Sequence, residues 1–518
     1  MKHGVVVLTA ALALLLAACG AGPAAPGAPA GGPPAHGGSM TYAYSVETRG
    51  LDPARSAATP NNGALQLTAI YDTLVIPDPV TGQARPRLAE SLRAEDGGSR
   101  WVLTLRPNLT FTDGTPLDAA AVAFNVARHA DAATNSLHRS QTAGLAVEVV
   151  DPRTVAFRLD RPNLHFDKFL ALSPLSFIGS PTAIAADPVR FDTKPVGAGP
   201  FTVQEWRRDE QLTLVRNPGY WDAPKPVLDE LVVRIIHDQT QGFNSVLTGE
   251  VQVMTTAHAP LHERARTSSG VAVETYELGG GLTIAFNSRT APFDDPRARR
   301  AVSLALGKAE MLTVTGGEPA RNMFPDSSPF HDPALDFPGD DPAEAQHLFD
   351  ELAAEGRPLR FATVMPDIQQ GRMIAEFVQA RLSTYRNVNV EVEILDGVTY
   401  QVRTRVRPDY QATVWNLSFS EPEPGLWQQY HTGGMNNVTG YSDPEVDDAL
   451  DRARTTLDPT ERKAAYAAMQ RKLNADVPEW FVRTNPNGAI HGDGVTGIVF
   501  YGDGRLLLSE LGYAENQN

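Results

Sequence analysis

Apolar and polar residues alternate along RWVLTLRPNLTF (100–111) and GVAVETYEL (270–278), and turn residues close both stretches, so each predicts a half-buried strand. Within 357–395 the pattern changes twice: RPLRFATVM alternates, GRMIAEFVQARLS repeats with a helical period, and VNVEVEIL alternates again. This predicts a strand, a helix and a strand in one βαβ unit. Four Asp-Pro pairs, at 295–296, 341–342, 443–444 and 458–459, each put a capping aspartate before a proline in the first helical turn. Glu344 and Glu461 stand where a capping box puts its acid. In the helix after Pro459, Ala465, Met469 and Leu473 recur every four residues and predict a core-facing stripe. No repeat of solenoid length is visible. These elements predict an α/β chain, and the length suggests about three domains or one interlocked unit.

One apolar run obeys neither period. Residues 4–16 follow Lys2 and His3 without a charge, too short to span a bilayer but matching a signal-peptide core. Leu16-Ala17-Ala18-Cys19-Gly20 resembles the bacterial lipobox, so residues 1–18 are expected to be removed and Cys19 lipidated. Cys19 is the only cysteine of 518 residues, which excludes an internal disulfide and a thiolate metal site. Residues 20–39 hold only Gly, Ala, Pro, one His and one Ser, and with Cys19 they read as a linker about 25 Å long if flexible. The formal charge is −16, and loss of the signal removes one lysine more. An acidic body argues against nucleic acid and against adsorption to anionic lipid. No second long apolar run predicts a membrane span.

Catalytic signatures are missing. There is no G-x-S-x-G, H-E-x-x-H, Walker or G-x-G-x-x-G pattern. VGAGPF (196–201) lacks the lysine of a phosphate loop and reads as a turn. His258 and His262, with Glu263 beside them, have helical ligand spacing, but Pro260 between them favours a solvated pair. EPEPG (421–425) reads as a stiff loop. No catalytic residue, resident metal or cofactor is expected.

Several long stretches resemble one family. They include LDPARSAATPNNGALQLTAIYDTLV (51–75), LTLRPNLTFTDGTPL (103–117), RNPGYWDAPKPVLDEL (216–231), IAFNSRTAPFDDPRARRAVSLAL (284–306) and GYSDPEVDDALDRAR (440–454). Together they are similar to the extracytoplasmic solute-binding lipoproteins of the peptide/nickel group of ABC importers, solute-binding protein family 5. The resemblance implies a two-lobed periplasmic-binding-protein-like fold of type II. Residues 40–73, 194–283 and 480–518 would form the first lobe, 74–193 an extra subdomain on it, and 284–479 the second lobe. It also implies a monomer, tethered by lipid to the outer face of the cell membrane, that hands a ligand to ABC permease subunits.

The same resemblance suggests where ligand binds. Peptide-binding members carry W-x-x-D-x-x-D-P, whose first Asp takes the peptide ammonium; here Trp415 is kept, Ser418 replaces that Asp, and Glu421 replaces the second. A neutral hydroxyl cannot supply the charge-assisted bond a buried ammonium needs, so Glu421 or Glu423 would have to turn inward to substitute. Arg372 stands near a helix start where dipeptide binders can hold a carboxylate. Tyr44, Trp427 and Tyr430 join Trp415 as candidate aromatic walls, and Asn287 follows the strand TIAF near the hinge. The favoured ligand is a short peptide or peptide-like molecule. A nickel chelate (with His431 near the variant loop), an oligosaccharide or another small solute is the alternative, and a cell-surface hydrolase the remote one.

Overall fold

The computed structural model describes residues 34–59, 62–78 and 83–515. Signal segment, Cys19 and most of the linker lie outside the described residues. Within the linker stretch, Pro34–Ala35 pair with Tyr513 and Ala514, and Ser39 opens the first long strand.

A ten-stranded sheet runs through the molecule. From one edge its order is Val388–Leu395, Leu359–Pro366, Ala412–Phe419, Val271–Phe286, Glu479–Gly492, Val253–Thr256, Ser39–Tyr44, Glu230–Ile235, Gln211–Arg216 and Phe201–Arg207. The expected βαβ unit is present: Leu359–Pro366 pairs in parallel with Val388–Leu395 across the helix Gln369–Leu382. The four Asp-Pro helix starts are also present. Asp295, Asp341, Asp443 and Asp458 each accept a backbone N–H of the first turn, as an N-cap should.

Two strands in the middle of this sheet join its halves. Val271–Phe286 and Glu479–Gly492 pair with each other along most of their length. At its far end Glu479–Gly492 also pairs with Val253–Thr256, whereas the second half of Val271–Phe286 pairs with Ala412–Phe419. The register jumps in between: Leu278 faces Asn485 while Leu282 faces Arg483, and Gly279 to Gly281 take up the extra length. Gly280 has φ +85°, a conformation that favours glycine. The sheet therefore bends at a glycine bulge shared by both halves.

Separate cores lie on either side of the bend. One gathers Tyr42, Tyr71, Phe201 and Leu231; another packs Phe286, Phe293, Val302 and Phe361 under the helices Pro296–Ala305 and Gln369–Leu382. A third core belongs to a four-stranded antiparallel sheet, Ala89–Glu95, Arg100–Leu105, Thr154–Leu159 and Leu145–Asp151, backed by the helix Ala119–Ala130. A buried ion pair, Arg128 to Asp52, ties this smaller sheet to the first body. A fourth core holds Phe324, Phe419, Tyr466 and the predicted stripe Ala465, Met469 and Leu473.

Candidate functional site

Ala412–Phe419 ends beside the glycine bulge, with Ser418 opposite Gly280. Alternation sends Leu417 and Phe419 into a core and leaves Asn416 and Ser418 exposed. On one side the whole strand pairs with Gly279 to Phe286; on the other it pairs with Leu359–Pro366 only at Ala412 and Thr413. Beyond Tyr400, whose hydroxyl donates to the Val414 carbonyl at 2.8 Å, no strand covers that edge among the described residues. Trp415 is half-buried, and the π-helical turn Val402–Val406 carries the Arg405 guanidinium to 4.4 Å from its ring centre.

The acidic loop after this strand does turn inward, but toward arginines. Glu421 is buried against Arg462. Glu423 is 1% exposed and accepts from Arg454 at 3.0 Å and from the Asn163 amide at 2.9 Å. Burial raises the Glu423 carboxyl, and Arg454 with Arg462 opposes that rise. Each carboxylate already holds a cation, so neither offers free charge to a ligand ammonium.

The remaining predicted residues are spread over several environments. Tyr44 is buried at the end of its strand, where desolvation pushes its phenol far up. Asn287 is fully buried and donates to the Tyr410 carbonyl at 2.8 Å, which fixes the chain after Phe286. Tyr430 lies in a core, donates to Glu479 at 2.9 Å and borders a cavity of about 30 Å³, room for a water or two. Arg372 is exposed in its helix's first turn with Asp367 at 2.5 Å. Trp427 is stacked on His431 with ring centres 4.3 Å apart, carries Arg454 at 4.5 Å, and donates Nε1 to Asp451 at 2.8 Å. Of the predicted set, Trp415 and Ser418 share one strand end, Glu421 and Trp427 follow it, and Tyr430, Asn287 and Tyr44 are packed inside.

The histidine pair, read as solvated, is split: His258 is exposed as expected, and only its partner departs from that reading. His262 is buried, its Nε2 3.0 Å from the Thr256 carbonyl, and burial lowers its pKa. His431 Nδ1 accepts from the Gly433 N–H at 3.0 Å. Among the described residues no group of three or more His, Cys, Asp or Glu is arranged to hold a metal ion.

Sequence reasoning missed the contacts between the smaller sheet's body and the far half of the large sheet. Besides Asn163 on Glu423, the Leu164 N–H donates to the Arg454 carbonyl, and His165 Nε2 lies on the Thr456 carbonyl, both at 2.9 Å. Their partners are hundreds of residues apart, and no motif announces them. Arg405 was equally invisible, because nothing in VRTRV singles out the arginine that reaches Trp415.

Two bodies sharing one bent sheet, with an exposed strand end at the bend, have the architecture of a two-lobed binding protein. Residues 83–437 match the family model described as bacterial extracellular solute-binding proteins, family 5, middle region, and the chain belongs to that family. The glutathione-binding protein GsiB of Escherichia coli strain K12 is 27% identical over 409 residues, which cover 74% of this chain and 77% of GsiB. The fold matches AgaA of A. tumefaciens R10, solved with agropinic acid, at TM-score 0.78 and 22% identity over 93% of this chain and 99% of AgaA. It matches DppA of Helicobacter pylori, solved with the peptide STSA, with the same four values. The chain is a substrate-binding receptor. No helix among the described residues is long and apolar enough to cross a membrane.

Proposed function

We propose that this receptor serves an ABC importer, captures a short peptide or peptide-like molecule between its lobes, and delivers it to a membrane permease. Residues 284–479 form the second lobe in this reading; 40–73, 194–283 and 480–518 form the first, with 74–193 as its subdomain. Cys19, lipidated after removal of residues 1–18, tethers the receptor outside the cytoplasm. The division is supported by the bend at Gly279 to Gly281, where pairing passes from one half of the sheet to the other.

The observation that carries the peptide reading is the uncovered edge of Ala412–Phe419 beside that bend. An extended peptide satisfies such an edge with its own backbone, independent of side chains. Names of relatives agree: GsiB binds glutathione and DppA of H. pylori was solved with a peptide. With Ser418 uncharged and Glu421 and Glu423 paired to arginines, this edge holds backbone and not an ammonium.

A thermal-shift screen of the purified protein tests the reading. Ligand at a hundred times its Kd adds about 2.7 kcal/mol and moves the midpoint by a few degrees. Di- to pentapeptides are expected to raise it, with oligosaccharides and nickel chelates inert. A rise with sugars or nickel chelates alone replaces the peptide with that solute.

A further inference from the structure

A cavity of about 290 Å³ lies between the smaller sheet's body and the far half of the large sheet. One wall carries Asp160, Arg161, Phe166 and Phe169; the facing wall carries Trp427 and Arg454. The volume is near the lower end for small-molecule sites and suits one or two residues of a peptide. The second wall continues directly from the uncovered strand, since Pro424 and Trp427 follow Phe419 by a few residues.

The charges in this cavity sort into used and unused. Arg454 is neutralised by Glu423, and the Trp427 ring has His431 stacked on it and Arg454 4.5 Å from its centre. Asp160 and Arg161 are exposed, and neither forms an ion pair with any described residue. The Asp160 carboxylate lies against Gly144, where a Cβ would meet it at 2.3 Å, and its backbone N–H donates to the Gly144 carbonyl at 2.9 Å. Arg161 reaches toward Trp427, its guanidinium carbon 5.8 Å from the ring centre. An unpaired acid and an unpaired base beside two phenylalanines form a dipolar site with an apolar floor.

We propose that this cavity is a ligand subsite that takes the zwitterionic part of a peptide-like ligand, its ammonium on Asp160 and its carboxylate on Arg161. The subsite rests on the peptide reading given above and supplies the carboxylate that Ser418 does not. Its two walls belong to different bodies, joined by the Asn163, Leu164 and His165 contacts, so it is complete only when those bodies meet. Ligand held there favours the closed arrangement, because only that arrangement offers both walls.

Titration calorimetry on the purified protein, with dialanine and glutathione as probes beside their N-acetylated and C-amidated forms, tests this. Asp160→Asn and Arg161→Gln are exposed substitutions, and their ligand-free unfolding midpoints should match the unsubstituted protein. Loss of a charge-assisted bond is expected to weaken binding about tenfold or more. Asp160→Asn should abolish the preference for the free amine over the acetylated form, and Arg161→Gln the preference for the free acid over the amide. Unchanged affinity of both variants for probes that do bind overturns the subsite and leaves the peptide reading standing. If no peptide stabilises the unsubstituted protein, the peptide reading fails and the subsite falls with it.

Discussion

Glu479 opens one of the two crossing strands with the Gln429 amide at 2.6 Å and the Tyr430 hydroxyl at 2.9 Å, and no cation pairs with it among the described residues. Burial pushes its carboxyl from 4.5 up to about 7, against the pull of those two hydrogen bonds. The folded state thus holds a proton that the unfolded state has released. The contribution of this group is most favourable to folding below about pH 4.5 and is lost as pH rises through about 7. Glu479→Gln keeps a donor and an acceptor at the site without the ionisation. Between pH 5 and pH 8 the unfolding free energy of the variant should gain roughly 2–3 kcal/mol relative to the unsubstituted protein. Denaturant unfolding at both pH values measures it, and a constant difference would refute the assignment. At this scale the sequence was legible where chemistry is local, as at Asp295, Asp341, Asp443 and Asp458, which cap the helices they precede. Glu421 and Glu423 were legible only as acids. Their arginines stand 41 and 31 residues further on, and only the fold brings them close.

The crossing strand Val271–Phe286 is one element of sixteen residues that the hydrophobic pattern divides in two. GVAVETYEL alternates, TIAF reads as a separate strand, and the glycines between them resemble a turn. They form a bulge within one strand instead, and glycine is required there for a steric reason. A Cβ at Gly280 would lie 2.3 Å from the Leu417 carbonyl oxygen, a backbone atom that cannot move aside, and the φ of +85° adds strain for any other residue. Gly280→Ala is therefore expected to cost about 2 kcal/mol or more, read as a lower denaturation midpoint. An unchanged midpoint would mean that the bulge relaxes freely. Elements specified within a few residues were readable, namely the four capped helices and the βαβ unit. Strand pairing was not, because Gly279 to Phe286 meets Ala412–Phe419 across more than a hundred residues and neither segment encodes the other's register.

On the scale of the molecule, hydrogen bonds from Asn163, Leu164 and His165 join the smaller sheet's body to the far half. His165 brings an imidazole to this junction, but burial, with Arg462 nearby, pushes it down to about 3, so its contact persists across the usual pH range. Asn163 matters more. Its backbone is fixed by its own body, where the Trp101 indole donates to its carbonyl at 2.9 Å and its N–H donates to Gly98, while its side chain crosses to Glu423. Asn163→Asp keeps the acceptor that the His165 N–H uses but sets two carboxylates face to face across the junction. Repulsion in a buried site should part the bodies without unfolding either, and the apparent affinity for any ligand bound between them should fall with the closed fraction. Hydrogen exchange reads this directly, because the Leu164 amide is protected by the Arg454 carbonyl only while the bodies touch. Exchange in the segment holding Leu164 should rise about tenfold in the variant, as for a contact worth roughly 1.4 kcal/mol, while residues 100–105 stay protected. Adding Glu423→Gln removes the facing charge and should restore protection. If Leu164 exchanges equally fast with and without Asn163→Asp, the Asn163–Glu423 bond does not hold the bodies together, and closure must be driven from the bend at Gly279 to Gly281.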